Sequence, residues 1–155
     1  ARSRRGLRNH LAGHAAAAGE RSPDMSIRIE HVALWVDDLD AMCAFYADAL
    51  GAVIGPLYEN PAKGFASRFL SLSSGARLEL MRTRSLQPVR AAPGAQRMGL
   101  THLAFTLGSE AAVDALTARL QAQGCPVLDG PRRTGDGCYE SVVLDPEGNR
   151  VELSA

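Results

Sequence analysis

Between Ile29 and Leu153 the apolar positions fall into short runs whose spacing switches repeatedly between a strand period and a helix period. Ile29-Glu30-His31-Val32-Ala33-Leu34 reads as a strand, and Leu39, Met42, Cys43, Tyr46 and Leu50 then recur at helical spacing. Asp38 is placed to cap that helix and Gly51 to stop it. The same order returns later. Leu100-Thr101-His102-Leu103-Ala104-Phe105 is a strand, and Val113, Leu116, Thr117 and Leu120 form a helical stripe between a Ser109 cap and a Gly124 stop. Each half closes on an alternating strand that contains Glu, Arg77-Leu78-Glu79-Leu80 and Arg150-Val151-Glu152-Leu153.

The offsets show that this is a repeat. His31 and His102 are 71 residues apart, whereas Gly51/Gly124, Gly75/Gly148 and Glu79/Glu152 are each 73 apart, a difference absorbed by two loop residues. The pattern predicts an α+β fold of two βαβββ modules, about 27–83 and 99–155, forming a curved mixed sheet around a cleft with the helices outside. Residues 84–98, with Pro88, Pro93 and Gly94, read as the linker of a single 25–155 domain. Asp145-Pro146-Glu147-Gly148 has the residues of a type I turn, which makes the last two strands a hairpin.

Charge changes the picture at the N-terminus. The chain has 155 residues, with 17 Lys+Arg against 17 Asp+Glu, so nothing electrostatic favours nucleic acid or an anionic membrane. Residues 1–24 hold five Arg and two acids, a net of +3, and carry no periodicity that continues onward. They read as a leader or an expression-derived extension outside the fold. No apolar run reaches the roughly 20 residues of a membrane helix. Cys43, Cys125 and Cys138 are odd in number and widely spaced, which favours packing roles in a soluble cytoplasmic domain over disulfides or a cysteine metal site.

Alternation then places the chemistry. His31, Ala33 and Trp35 share one face of their strand, opposite Val32, Leu34 and Val36; His102 and Ala104 likewise oppose Leu103 and Phe105. Glu79 opposes Leu78 and Leu80, and Glu152 opposes Val151 and Leu153. If the apolar faces meet the helices, all four polar residues lie on the helix-free side. A single such residue is ordinarily a surface residue. Here, however, the only two histidines after Met25 are repeat-equivalent, and so are the two glutamates. Two imidazoles and two carboxylates suit a divalent first-row ion and leave two positions of an octahedral shell for substrate oxygens.

The order His31, Glu79, His102, Glu152 in paired modules resembles the vicinal oxygen chelate superfamily of glyoxalases, ring-cleaving dioxygenases, epimerases and antibiotic resistance proteins. So do the phrases His31-Val32-Ala33-Leu34-Trp35-Val36 and Asp145-Pro146-Glu147-Gly148-Asn149-Arg150-Val151-Glu152-Leu153. The complete His-Glu-His-Glu set is similar to that of glyoxalase I. The resemblance implies a metal-dependent lyase or isomerase acting on a small vicinal-oxygen substrate, such as a 2-oxoaldehyde–thiol hemithioacetal, through an enediolate. It implies zinc or nickel as the ion, with iron, manganese or cobalt as alternatives. Glu152 is the implied base and Glu79 the second candidate. A homodimer is also implied, with His31 and Glu79 of one chain opposite His102 and Glu152 of the other.

Glyoxalase I grips glutathione with an Arg and an Asn at the places of Trp35 and Thr83, so glutathione dependence does not carry over by residue identity. Arg68, Arg77 and Arg82 are the candidate substitutes, and Tyr139 and Glu140 are placed to line the cleft. Gly135-Asp136-Gly137 reads as a turn. Competing readings are an Fe(II)-dependent extradiol-type dioxygenase, which needs no acid at position 79, and a non-catalytic small-molecule binding or resistance protein.

Overall fold

A computed structural model describes residues 26–87, 92–96 and 98–155. The basic N-terminal stretch 1–24, with its His10 and His14, lies outside the described residues. The first module contains β1 (His31–Trp35), α1 (Leu39–Leu50), β2 (Val53–Ile54), β3 (Tyr58–Asn60), a 3-10 turn (Pro61–Lys63), β4 (Phe65–Ser71) and β5 (Arg77–Thr83). The second contains β6 (Leu103–Thr106), α2 (Glu110–Ala122), β7 (Val127–Arg133), β8 (Tyr139–Leu144) and β9 (Arg150–Ser154).

Each module has its own mixed sheet. The first has the order β1-β5-β4-β2 with β3 also on β4, and the second has the order β6-β9-β8-β7. The helix carries the chain from the first strand to the far edge of the sheet. An antiparallel meander then returns it, so the last strand lands parallel beside the first. This return brings β1, which starts at His31, and β6, which His102 immediately precedes, each next to a Glu-bearing strand; the two expected strands are thus shorter at their starts, without Ile29-Glu30 and Leu100-Thr101-His102.

The caps act as their residue types require. Asp38 accepts from the Ala41 amide at 2.9 Å, Ser109 accepts from the Ala112 amide at 3.2 Å, and Gly51 takes a left-handed φ of 67°. Among the described residues nine strands form where eight were expected. In the first module Gly55-Pro56 interrupts the second strand, because proline offers no N–H to the ladder. In the second module Gly130-Pro131 leaves β7 continuous but bulged between Asp129 and Arg132. Gly130 has a φ of 77°, and a Cβ there would sit 2.4 Å from the Glu140 carbonyl oxygen. Only glycine fits that approach.

The apolar faces of both sheets feed one core. Met42, Tyr46, Leu70 and Leu80 of the first module are fully buried, as are Val113, Val143 and Leu153 of the second, all in one cluster. The β8–β9 turn fastens the two together. The Glu147 carboxylate accepts from the amides of Asp37 and Asp38, both at 2.8 Å, and so caps the start of α1. Beside it the buried Tyr46 hydroxyl donates to Asp145 Oδ2 at 3.0 Å. Burial first, and then the neighbouring Asp145 charge, push the Tyr46 phenol far above its ordinary range. At the other end of α1, Arg119 donates to the Asp48 carboxylate and to the carbonyls of Asp48 and Ala49.

Tyr46→Phe removes one of the two donors to Asp145 Oδ2, leaving Asn149 Nδ2 at 2.9 Å as the remaining one. The expected loss is about 1.5–3 kcal/mol, the range for hydrogen bonds to charged groups. Urea denaturation should show a lower midpoint with an unchanged slope, because the chain still unfolds as one body. Among the described residues no helix is long and apolar enough to cross a membrane.

Candidate functional site

The alternation along β5 and β9 divides each strand cleanly. Leu78, Leu80, Val151 and Leu153 are buried, while Arg77, Glu79, Arg150 and Glu152 are half-buried on the opposite face. Ala33 stands in register with Glu79, and Ala104 with Glu152. In both modules the histidine is therefore diagonal to the glutamate across the parallel pair. His31 Nε2 lies 3.7 Å from Glu79 Oε2, and His102 Nε2 lies 3.4 Å from Glu152 Oε2. The side chains of the first pair are 39% and 16% exposed and those of the second 39% and 18%, so the repeat extends to the environment of each pair.

The chemistry of this donor set fits a divalent ion. Imidazole nitrogen and carboxylate oxygen bind zinc at about 2.0–2.2 Å, so neighbouring ligands stand roughly 3 Å apart. Both pairs are near that separation and accessible from one side. One chain does not, however, bring the pairs together: among the described residues no three His, Cys, Asp or Glu side chains converge as a metal cluster. The shared core accounts for this. With both apolar faces packed into one cluster, the two polar faces are those left outside it.

Several cleft candidates fall elsewhere. Tyr139 lies on the helix side, where its hydroxyl donates to Asp114 of α2 at 2.7 Å. That bond raises the Tyr139 phenol above its usual range. Glu140 is on the polar face, 3.8 Å from Arg132. Arg68 turns to the Gly55 carbonyl at 2.9 Å, and alternation puts Arg82 on the face of Leu78 and Leu80. Arg77 alone of the three arginines shares the face of Glu79. Trp35 is half-exposed on that face, edge-on to Phe65 at 6.2 Å between centroids. Gly135-Asp136-Gly137 is the expected turn, closed by the Gly137 amide on the Thr134 carbonyl. All three cysteines are free. Cys43 is buried and Cys125 half-buried, and burial raises both thiols, whereas Cys138 is exposed and packs nothing.

Glu30 was missed by the sequence reading. Its carboxylate meets His31 Nδ1 at 2.5 Å and also pairs with Arg77, and these two contacts hold it below the usual carboxylate range. Alternation gives no sign of this, since within the expected strand Glu30 points away from His31, whereas β1 begins only at His31. Nor does the repeat, because Thr101 occupies the matching place. The one available signal was adjacency, an acid directly before a candidate ligand.

Comparison with known proteins follows the same lines. The family described as Glyoxalase/Bleomycin resistance protein/Dioxygenase superfamily matches residues 28–153. The uncharacterized protein PA2024 of Pseudomonas aeruginosa is 35% identical over 138 residues, covering 84% of this chain and 89% of that protein. The lactoylglutathione lyase of Agrobacterium tumefaciens is 29% identical at a TM-score of 0.59, over 86% of this chain and 95% of that one. The trypanothione-dependent glyoxalase I of Leishmania major shares the fold at a TM-score of 0.65 and 24% identity, over 83% and 86% of the two chains. A repeated βαβββ module, equivalent His–Glu pairs in equivalent register and a family match across both modules lead to one placement: the chain belongs to the Glyoxalase/Bleomycin resistance protein/Dioxygenase superfamily.

Proposed function

We propose that the protein is a glyoxalase I-like, metal-dependent lyase acting on a small substrate with vicinal oxygens, such as a 2-oxoaldehyde–thiol hemithioacetal. The observation that carries this reading is the equivalence of the two His–Glu pairs, each presenting one nitrogen and one oxygen donor on an accessible sheet face. His31 and Glu79 of one chain, with His102 and Glu152 of a second copy, would hold one divalent ion, with zinc or nickel the first candidates. Support for a second copy comes from apolar side chains beside both histidines. Ile27 and Ile29 precede His31, Met98 and Leu100 precede His102 by the same intervals, and all four are exposed. Matched exposed apolar residues ahead of both histidines favour burial against a partner.

A bound divalent ion would supply positive charge to the two substrate oxygens as negative charge develops on them. The remaining work falls to the chain. The Glu152 carboxylate accepts the proton from the carbon bearing sulfur, and the electron pair left behind forms a carbon–carbon double bond as the π pair of the neighbouring carbonyl moves onto its oxygen. The same carboxylate then returns the proton to the neighbouring carbon, the C=O bond re-forms at the carbon bearing sulfur, and the hydroxyl proton there passes to the other oxygen, so the product is an isomer and no redox partner is needed. Glu79 is the second candidate for this role. Both carboxylates are at least partly shielded from water, which favours retention of the proton between the two steps.

Turnover should not depend on glutathione as the thiol. Trp35, packed on Phe65, cannot form the charge-assisted fork that an arginine gives a carboxylate, a contact of about 1.5–3 kcal/mol. Methylglyoxal adducts of glutathione and of 2-mercaptoethanol should therefore have kcat/KM values within about tenfold of each other, since tenfold corresponds to 1.4 kcal/mol. A preference for the glutathione adduct above a hundredfold would reject this. Metal-loaded protein inert toward a panel of such adducts would reject the lyase assignment itself. Oxygen consumption with a catechol would instead identify an Fe(II) dioxygenase.

A further inference from the structure

His31 stands inside a ring of side chains that has no counterpart at His102 among the described residues. Glu30 Oε2 lies 2.5 Å from His31 Nδ1, and its other oxygen pairs with Arg77. The Arg77 guanidinium lies over the Phe69 ring, 4.1 Å from its centroid, and Phe69 in turn meets the His31 ring edge-on at 5.4 Å and 89°. Arg77 and Phe69 are sheet neighbours of the site, Arg77 in register with His31 and Phe69 with Glu79. In the second module the residue before His102 is Thr101. The repeat-equivalent arginine, Arg150, donates both Nε and Nη2 to the Gly94 carbonyl of the linker.

A carboxylate only accepts hydrogen bonds, so the Nδ1 that meets it must carry the proton. In the neutral ring this leaves Nε2 with its lone pair. At 3.7 Å, Nε2 is beyond hydrogen-bond reach of Glu79 and is directed to the same side as that carboxylate. The ring cannot readily turn, because Phe69 closes one side and Arg77 holds both Phe69 and the carboxylate.

We propose that Glu30 is a positioning residue that fixes the tautomer and orientation of His31, so that the first module presents a ready-made Nε2 donor while the second does not. For metal binding this rests on the reading of His31 as a ligand; for the metal-free protein it does not. A carboxylate behind a ligating imidazole orients the ring and raises its basicity, and loss of such a group typically weakens metal binding about 10–100-fold. The two modules would then be unequal despite their matched His–Glu pairs.

The test begins on the metal-free protein at roughly pH 8, above the ordinary imidazole range. Proton–nitrogen correlation spectra of the imidazole rings should show His31 as the Nδ1–H tautomer alone. Glu30→Ala should convert it to a mixture and leave His102 unchanged. Glu30→Gln, which keeps an oxygen acceptor but loses the charge that holds Arg77, should fall between the two. Zinc affinity, read by competition with a chromophoric chelator, should weaken about 10–100-fold in Glu30→Ala. His31→Ala serves as the reference. If it leaves zinc affinity intact, the ligand reading fails, and the tautomer result still decides the positioning role. An unchanged His31 tautomer in Glu30→Ala overturns the proposal. If His31→Ala weakens zinc binding and Glu30→Ala does not, the proposed effect on the metal is overturned.

Discussion

Glu152→Gln should fold as the wild type does and lose about 10²–10⁴-fold in turnover, the range for removing a positioned general base. The fold should survive because packing in β9 rests on the buried Val151 and Leu153, which point away from residue 152. Glutamine is nearly isosteric, so the His102 diagonal is preserved while the basic oxygen is lost. Two effects must be separated, since an amide is also a poorer ligand than a carboxylate. Turnover is therefore measured at saturating metal, and affinity is measured independently by titration. Exchange of deuterium out of the carbon bearing sulfur offers a second readout, since removal of that proton is the step assigned to Glu152. A loss of less than tenfold at metal saturation would move the base to Glu79. Glu79→Gln should then show the larger defect, and it should do so without unfolding, because Leu78 and Leu80 carry the packing of β5.

The residues that made the fold legible are those whose position in a period fixes a face. Val151-Glu152-Leu153 and Leu78-Glu79-Leu80 admit one strand reading, and the repeat gave each assignment a second instance. The turn Asp145–Gly148 was equally readable, but its purpose was not. No local pattern shows that Glu147 caps a helix about 110 residues earlier, or that Asp145 receives the Tyr46 hydroxyl. The split of β2 and β3 has its signal in Gly55-Pro56, where proline offers no N–H to the ladder. Tyr139 was misplaced because its face depends on how β8 is registered against β9, where Ser141 pairs with Leu153 on the core side. Its neighbour Glu140 is consequently the one on the polar face. Glu30 escaped for the opposite reason. It lies just outside β1, where alternation no longer dictates direction and the side chain is free to turn back onto His31.

The relation between the two His–Glu pairs was beyond any local pattern, because it depends on how whole modules pack. The helix-side faces share one core, Arg119 clamps the end of α1, and Glu147 clamps its start. Bringing Glu152 to Glu79 within one chain would require the two modules to repack against that shared core. A second copy requires no such repacking. A two-fold pairing would set module one of each chain against module two of the other, forming two identical sites and covering Ile27, Ile29, Met98 and Leu100. His31→Ala and His102→Ala homodimers should each be inactive, since every site in either lacks a histidine. After subunit exchange, half of the dimers would be hybrids. One site of each hybrid would lack both histidines and the other would keep all four ligands. Recovery should therefore approach about a quarter of wild-type activity, with metal content rising in proportion. If exchange is verified by mass spectrometry and no activity returns, each complete site must lie within a single chain, and the two modules would have to reorganise to form it.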